Sequence, residues 1–196
     1  METVWRLDHL GSIGRHRTEV LGNPRLVEGP EGKAIEFDGG QDGLIVDAHS
    51  LVGAETFTVE VVFQPYARGL AEQRFVHLQE SSGDNRVLIE TRLTDDEQWF
   101  LDTFVKSDEG DQTLFAEDFK HPIGPWYQAA MVFDGREMRH YVNGRLELAG
   151  RMGFAPLRSG QTSIGVRLNR VYWFKGGVST VRFATRALSA DEFLQV

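Results

Sequence analysis

Three stretches of the chain concentrate side chains that can donate, accept or transfer protons. EQRFVHLQE at 72–80 carries His77 and Gln79, and RVLIETRL at 86–93 carries Glu90 and Arg92. RLNRVYWFK at 167–175 carries Arg167 and Asn169 beside Tyr172, Trp173 and Phe174. WFLDTFVK at 99–106 adds Asp102, with Phe100 and Phe104 two residues away on either side. Sugars are recognised by this mixture, since planar groups bond hydroxyls in pairs and apolar faces cover ring C–H surfaces. A polysaccharide-cleaving enzyme would use the same side chains differently, with His77, Glu90 and Asp102 as its candidate acid–base groups. Each residue also has a plainer use. Charged side chains on strands most often solvate a face or form weak cross-strand pairs, Glu90 with Arg92 or Arg167 for instance.

These residues can act together only if strands bring them to one face. Residues 57–64 set Phe57, Val59, Val61 and Phe63 against Thr58, Glu60, Val62 and Gln64, the period of a half-buried strand. Residues 86–93 repeat the pattern, and 74–80, 99–106, 126–134, 162–169, 34–38, 44–48 and 173–183 also read as strands. Alternation puts Phe75, His77 and Gln79 on the face opposite Val76 and Leu78. It exposes Glu60, Glu90, Arg92, Asp102, Arg167 and Asn169, with Phe100 and Phe104 on the side of Asp102. Asn143-Gly144 reaches positive φ cheaply and joins 139–142 to 145–148 in a hairpin. There Met138, His140 and Val142 share one face and Arg139, Tyr141 and Asn143 the other, so His140 is a further ligand candidate whose face is open. Ser189 and Glu192 have capping-box spacing, which predicts one short helix with Leu194 packed back on the sheets. Many strands, frequent turns and one terminal helix predict an all-β sandwich of two antiparallel sheets, a single domain over residues 1–196.

Composition narrows the partners. The 196 residues carry 21 basic and 29 acidic side chains, a net charge of −8, and no cysteine. Thiol nucleophiles, thiolate metal sites and disulfides are excluded. The negative balance argues against counterion-driven nucleic-acid binding and against docking on anionic membranes. No apolar run approaches the about 18 residues of a spanning helix. METVWRLDHLG lacks the basic and apolar regions of a secretory signal, so the expected location is the cytoplasm, or an exported compartment if a signal has been removed. Oligo- or polysaccharides, small molecules and proteins remain as partners, and an oligomer is open.

Four segments in order resemble the laminin-G-like jelly roll of the concanavalin A-like lectin/glucanase superfamily. They are GKAIEFDGGQDGLIV at 32–46, ETFTVEVVFQP at 55–65, GPWYQAAMVFDGREMRHYVNGRL at 124–146 and FKGGVSTVRFATRALSADEF at 174–193. The resemblance implies a concave sheet bearing a glycan groove, and hence a lectin-like recognition module with His77, Gln79, Glu90, Arg92, Arg167, Asn169 and His140 facing ligand. It also implies a calcium ion at the aspartates of the opening turn, Asp38 and Asp42, although Ser179 stands where another carboxylate is usual. The alternatives are a polysaccharide-active enzyme on the same face and a protein-interaction or assembly module. The Glu-x-Asp-x-x-Glu or Glu-x-Asp-x-Glu strand of the superfamily's retaining glucanases does not occur in the sequence. VYWFKGGVS at 171–179 is only loosely similar to the terminal strand of alginate lyases, with Ser179 in place of the tyrosine, so His77 with Tyr141 or Tyr172 would have to substitute.

Overall fold

In the computed structural model, which describes residues 1–196, the chain forms seventeen strands and one 3-10 turn. In chain order these are β1 (Glu2–Arg6), β2 (Ser12–Ile13), β3 (His16–Leu21), β4 (Arg25–Gly29), β5 (Gly32–Asp38), β6 (Gly43–Val46) and β7 (Phe57–Pro65). Then come β8 (Glu72–Glu80), β9 (Arg86–Leu93), β10 (Gln98–Ser107), β11 (Gly110–Phe115) and β12 (His121–Pro122). The last are β13 (Tyr127–Phe133), β14 (Glu137–Val142), β15 (Arg145–Arg151), β16 (Gly160–Ile164) and β17 (Lys175–Ala184). One sheet runs β15-β14-β13-β7-β17-β5-β4 with β1 also on β17. The other runs β11-β10-β9-β8-β16-β6-β3-β2 with β12 also on β10. The fold is the expected all-β sandwich of two antiparallel sheets.

The inner faces meet in one cluster of 34 buried residues, among them Val59, Val61 and Phe63 of β7, Val87 and Ile89 of β9 and Leu101 and Val105 of β10. The N-terminal segment supplies β1 to β4, with Trp5 fully buried against Phe183 at 4.8 Å.

The expected short terminal helix is a 3-10 turn of three residues, Ala190–Glu192, in which the Glu192 carboxylate accepts from the Ser189 amide and hydroxyl at 3.0 Å each. Two expectations are corrected. Glu60 faces outward from β7 yet is fully buried, because Leu188 and Phe193 fold across that face onto Ala130, Val132 and Ala184. His140 points between the sheets with Met138 and Val142, where its Nδ1 meets the Thr103 hydroxyl at 2.9 Å. Burial lowers the His140 ring to about 3, so it is a neutral core histidine rather than a ligand-facing one.

Candidate functional site

Neighbouring strands of the nine-stranded sheet stack their outward side chains in register. Glu90 lies across from Arg74 on β8 and from Asp102 on β10, and Arg92 across from Glu72 and Phe100. The sequence therefore places five acidic or basic groups on three adjacent strands, where each must find a counter-charge. Arg92 donates from Nε to Asp102 at 2.8 Å, from one terminal nitrogen to Glu72 at 2.7 Å and from the other to Glu90 at 3.3 Å. Arg74 pairs with Glu72 and, through Nε, with Glu90 at 2.5 Å. Burial, and then the negative charge of Asp102 across the ladder, push the Glu90 carboxyl up to about 8.

Above this floor lies an open cleft of about 200 Å³, lined by Arg74, Arg86, Arg167, Phe104 and Thr113 together with the ion network. Aromatic rings frame it. The Arg74 guanidinium lies 3.8 Å from the Tyr172 ring centre, that of Arg86 4.7 Å from Phe104, and that of Arg92 5.4 Å from Phe115. Phe100 meets Phe115 edge-on at 4.8 Å. Phe115 and Tyr172 remain 42% and 37% exposed, enough to offer an apolar surface to a ligand.

The structure gathers Glu90, Arg92, Asp102 and Arg167 in this cleft and separates the other candidates from it. The strand expected over 162–169 ends at Ile164, because Gly165 takes φ +81° and turns the chain away. Residues 165–174 then form a loop, with Arg170 and Tyr172 also at positive φ, that folds across β8. The Leu168 amide donates to His77 Nδ1 at 3.0 Å and seals the ring, which is fully buried. Burial first, then the positive charges of Arg167, Arg86 and Arg74, lower His77 to about 3. His77 is therefore a neutral brace beneath the loop and is corrected from the set of ligand-facing residues. Gln79 and Asn169 fall on the far side of the loop, in a second depression of about 380 Å³ with Glu19, Gln161 and Arg170. Phe75 is also corrected: a β-bulge between Arg74 and Val76 turns it inward against Phe63 at 4.6 Å.

The loop depends on its first residue. A Cβ on Gly165 would lie 2.5 Å from the Phe37 ring, in a backbone conformation that side chains avoid. Gly165→Ala is expected to cost about 2 kcal/mol of stability, read as a lower denaturant midpoint at unchanged slope.

Reasoning from sequence missed β11, whose outward Thr113 lines the cleft and whose Phe115 lies beside Arg92. The alternation of GDQTLF, with Leu114 buried between exposed Thr113 and Phe115, is the signal that marks it.

Asp38 and Asp42 do not make a calcium cradle. Asp38 Oδ1 accepts the amides of Gly40, Gln41 and Asp42 at 2.8, 2.9 and 3.1 Å. Asp42 spends both oxygens on the amides of Asn23 and Asp38 at 2.7 and 3.1 Å. Lys175 is the ladder partner of Asp38, and no third acidic, histidine or cysteine side chain converges there. Calcium needs six to eight oxygens, so these residues serve as turn closers.

Residues 38–193 match the family model of the concanavalin A-like lectin/glucanases superfamily. The chain belongs to that superfamily. No curated protein sequence matches it. Among solved structures, this superfamily member is similar to domain 4 of AbnA, an extracellular GH43 arabinanase from Geobacillus stearothermophilus in complex with arabinotriose. The TM-score is 0.73 at 18% identity, covering 97% of this chain and 94% of that one. It is similar to the heptameric SAP-like pentraxin of Limulus polyphemus at TM-score 0.65 and 20% identity, covering 80% of this chain and 77% of that one. It is similar also to the binding domain of botulinum neurotoxin DC in complex with SialylT at TM-score 0.69 and 11% identity. That match covers 97% of this chain and 49% of the toxin domain. These likenesses establish a shared jelly-roll fold.

Proposed function

We propose that this superfamily member is a carbohydrate-recognition module that binds its glycan on the outer face of the nine-stranded sheet. The observation that carries the reading is the cleft itself, a network of arginines and carboxylates with two exposed rings beside it, Tyr172 against Arg74 and Phe115 near Arg92. Arginines held by carboxylates cannot swing, so their free N–H groups present fixed donors to sugar hydroxyls at little entropic cost. The arabinotriose and SialylT complexes of similar folds agree with such a use.

The same geometry weighs against hydrolysis and lyase chemistry. A glycosidase holds its two carboxyls about 5–5.5 Å or about 6.5–9.5 Å apart, with the scissile bond between them. Glu90 and Asp102 are direct partners on the β9–β10 ladder, and both are tied to Arg92 rather than standing free on either side of a scissile bond. For a lyase, His77 is sealed, and Tyr141 packs on Phe193 at 5.1 Å on the other sheet.

A glycan array run beside a polysaccharide-degradation screen tests the proposal. Binding without turnover is expected. Phe115→Ala and Tyr172→Ala should each weaken that binding about tenfold, the loss of roughly 1.4 kcal/mol of ring contact, at an unchanged melting temperature. Release of reducing ends would overturn it, and so would a lack of binding to every glycan.

A further inference from the structure

The cations of the cleft are not equally satisfied. Arg92 is held by three carboxylates and Arg74 by two, while Arg86 pairs at the rim with Asp84, which also holds Lys106. After these pairings the Arg74 Nη1 and Arg86 Nε atoms remain buried with no partner. Arg167 forms no ion pair and no side-chain hydrogen bond, and its charge is disfavoured by burial and then by Arg74 and Arg86. Four arginines but only two acidic side chains line this cleft, although the whole chain is at −8. Three guanidinium groups turned toward one open cleft, one of them unpaired, leave a place for an anion.

We infer that the cleft receives the carboxylate of an acidic sugar, seated between Arg167, Arg86 and Arg74. The inference rests on the glycan reading above and narrows it to a substrate class, the uronates and other carboxylated sugars. A planar carboxylate matches the two-pronged guanidinium edge. Phe104, Phe115 and Tyr172 would flank the ring that bears it. The ligand anion takes the counter-charge role that the protein withholds from Arg167.

The test is binding, by calorimetry, of polygalacturonate, alginate and hyaluronan, each beside its carboxyl-reduced or esterified form, with poly-glutamate as a control for charge alone. At least one acidic polymer should bind tenfold or more tighter than its neutral form, and added salt should erode the difference. Arg167→Gln should abolish that preference at an unchanged melting temperature, since Arg167 has no partner in the protein to lose. Equal binding of acidic and neutral forms would overturn the acidic-sugar inference and leave the glycan reading standing. Binding to no polysaccharide would overturn both. Poly-glutamate bound as tightly as the uronans, or a preference that survives Arg167→Gln, would overturn the assignment of the carboxylate to this cleft.

Discussion

Acidification from pH 7 to pH 5 should remove about 4 kcal/mol of folding stability, well before the ordinary carboxylates titrate. The cause is three histidines that the fold holds neutral. His49 is lowered to about 4, and His77 and His140 to about 3, burial being the largest cause in each. His49 faces Glu80, His77 faces Arg167, Arg86 and Arg74, and His140 lies 3.9 Å from Glu147. In the unfolded chain these rings take up protons near 6.5, so below that pH the unfolded state binds more protons than the folded one. The stability they supply is complete above pH 6.5 and falls as pH drops toward 4. At pH 5 the loss is about 2 kcal/mol per ring, or about 6 kcal/mol in all. Glu90 works the other way, because its raised carboxyl is protonated in the fold before it is in the open chain, and this offsets about 2 kcal/mol of the loss. Urea titrations at pH 7, 6 and 5 measure the net change. NMR of the ring protons isolates the cause, with all three rings keeping neutral shifts at pH 5. Stability flat across this range, or any of the three titrating near pH 6, would sink the account.

Those histidines also mark where reading the sequence succeeded and where it stopped. Parity worked on β7, β9 and β10, where the ladder is regular, and it put Glu90, Arg92, Asp102, Phe100 and Phe104 on one face. It failed on β8 at a single inserted residue, because the bulge at Phe75 resets the alternation and leaves no mark in RFVHL itself. It failed again past Ile164, where a glycine turn converts strand-like VRLN into a loop. Arg167 reaches the cleft all the same, and Asn169 does not.

Burial was the least legible quantity, because it depends on contacts between residues far apart in sequence. His77 sits on the outward face as parity predicts, yet the amide that covers it belongs to Leu168, 91 residues along. Glu60 likewise faces outward and is closed over by a segment 134 residues away. Alternation reports which side of a sheet a side chain leaves, and tertiary structure decides whether that side is wet. The turn aspartates follow the same logic in reverse. Asp38 and Asp42 stand where the resemblance implies cation ligands, and nearby backbone amides take up the bonds a cation would need.

Arg182→Met should be the most damaging single change on the outer face of the eight-stranded sheet, costing about 3–5 kcal/mol and about 10 °C of melting temperature. Arg182 lies directly across the β7–β17 ladder from Glu60 and grips one carboxylate oxygen with two nitrogens. The other oxygen accepts Gln128 Nε2 at 2.9 Å and the Leu194 amide at 2.8 Å, so the pair pins the C-terminal segment to the sheet. Arg182 adds a bond to the Glu192 carbonyl at 2.7 Å and an ion pair with Glu2 at 3.3 Å. Burial already pushes the Glu60 carboxyl above its ordinary range, and losing the guanidinium would leave a buried charge with no counter-ion. The residue would have to take up a proton or open the segment to water. The double variant Glu60→Met with Arg182→Met separates these costs. It removes both charges and keeps apolar volume under Phe193, so it should recover most of the loss. A double variant as unstable as the single one would mean that the damage comes from lost packing and carbonyl bonding. An Arg182→Met protein within about 1 kcal/mol of the parent would show that the pair does not hold the terminus at all, since exposed pairs reach only that magnitude.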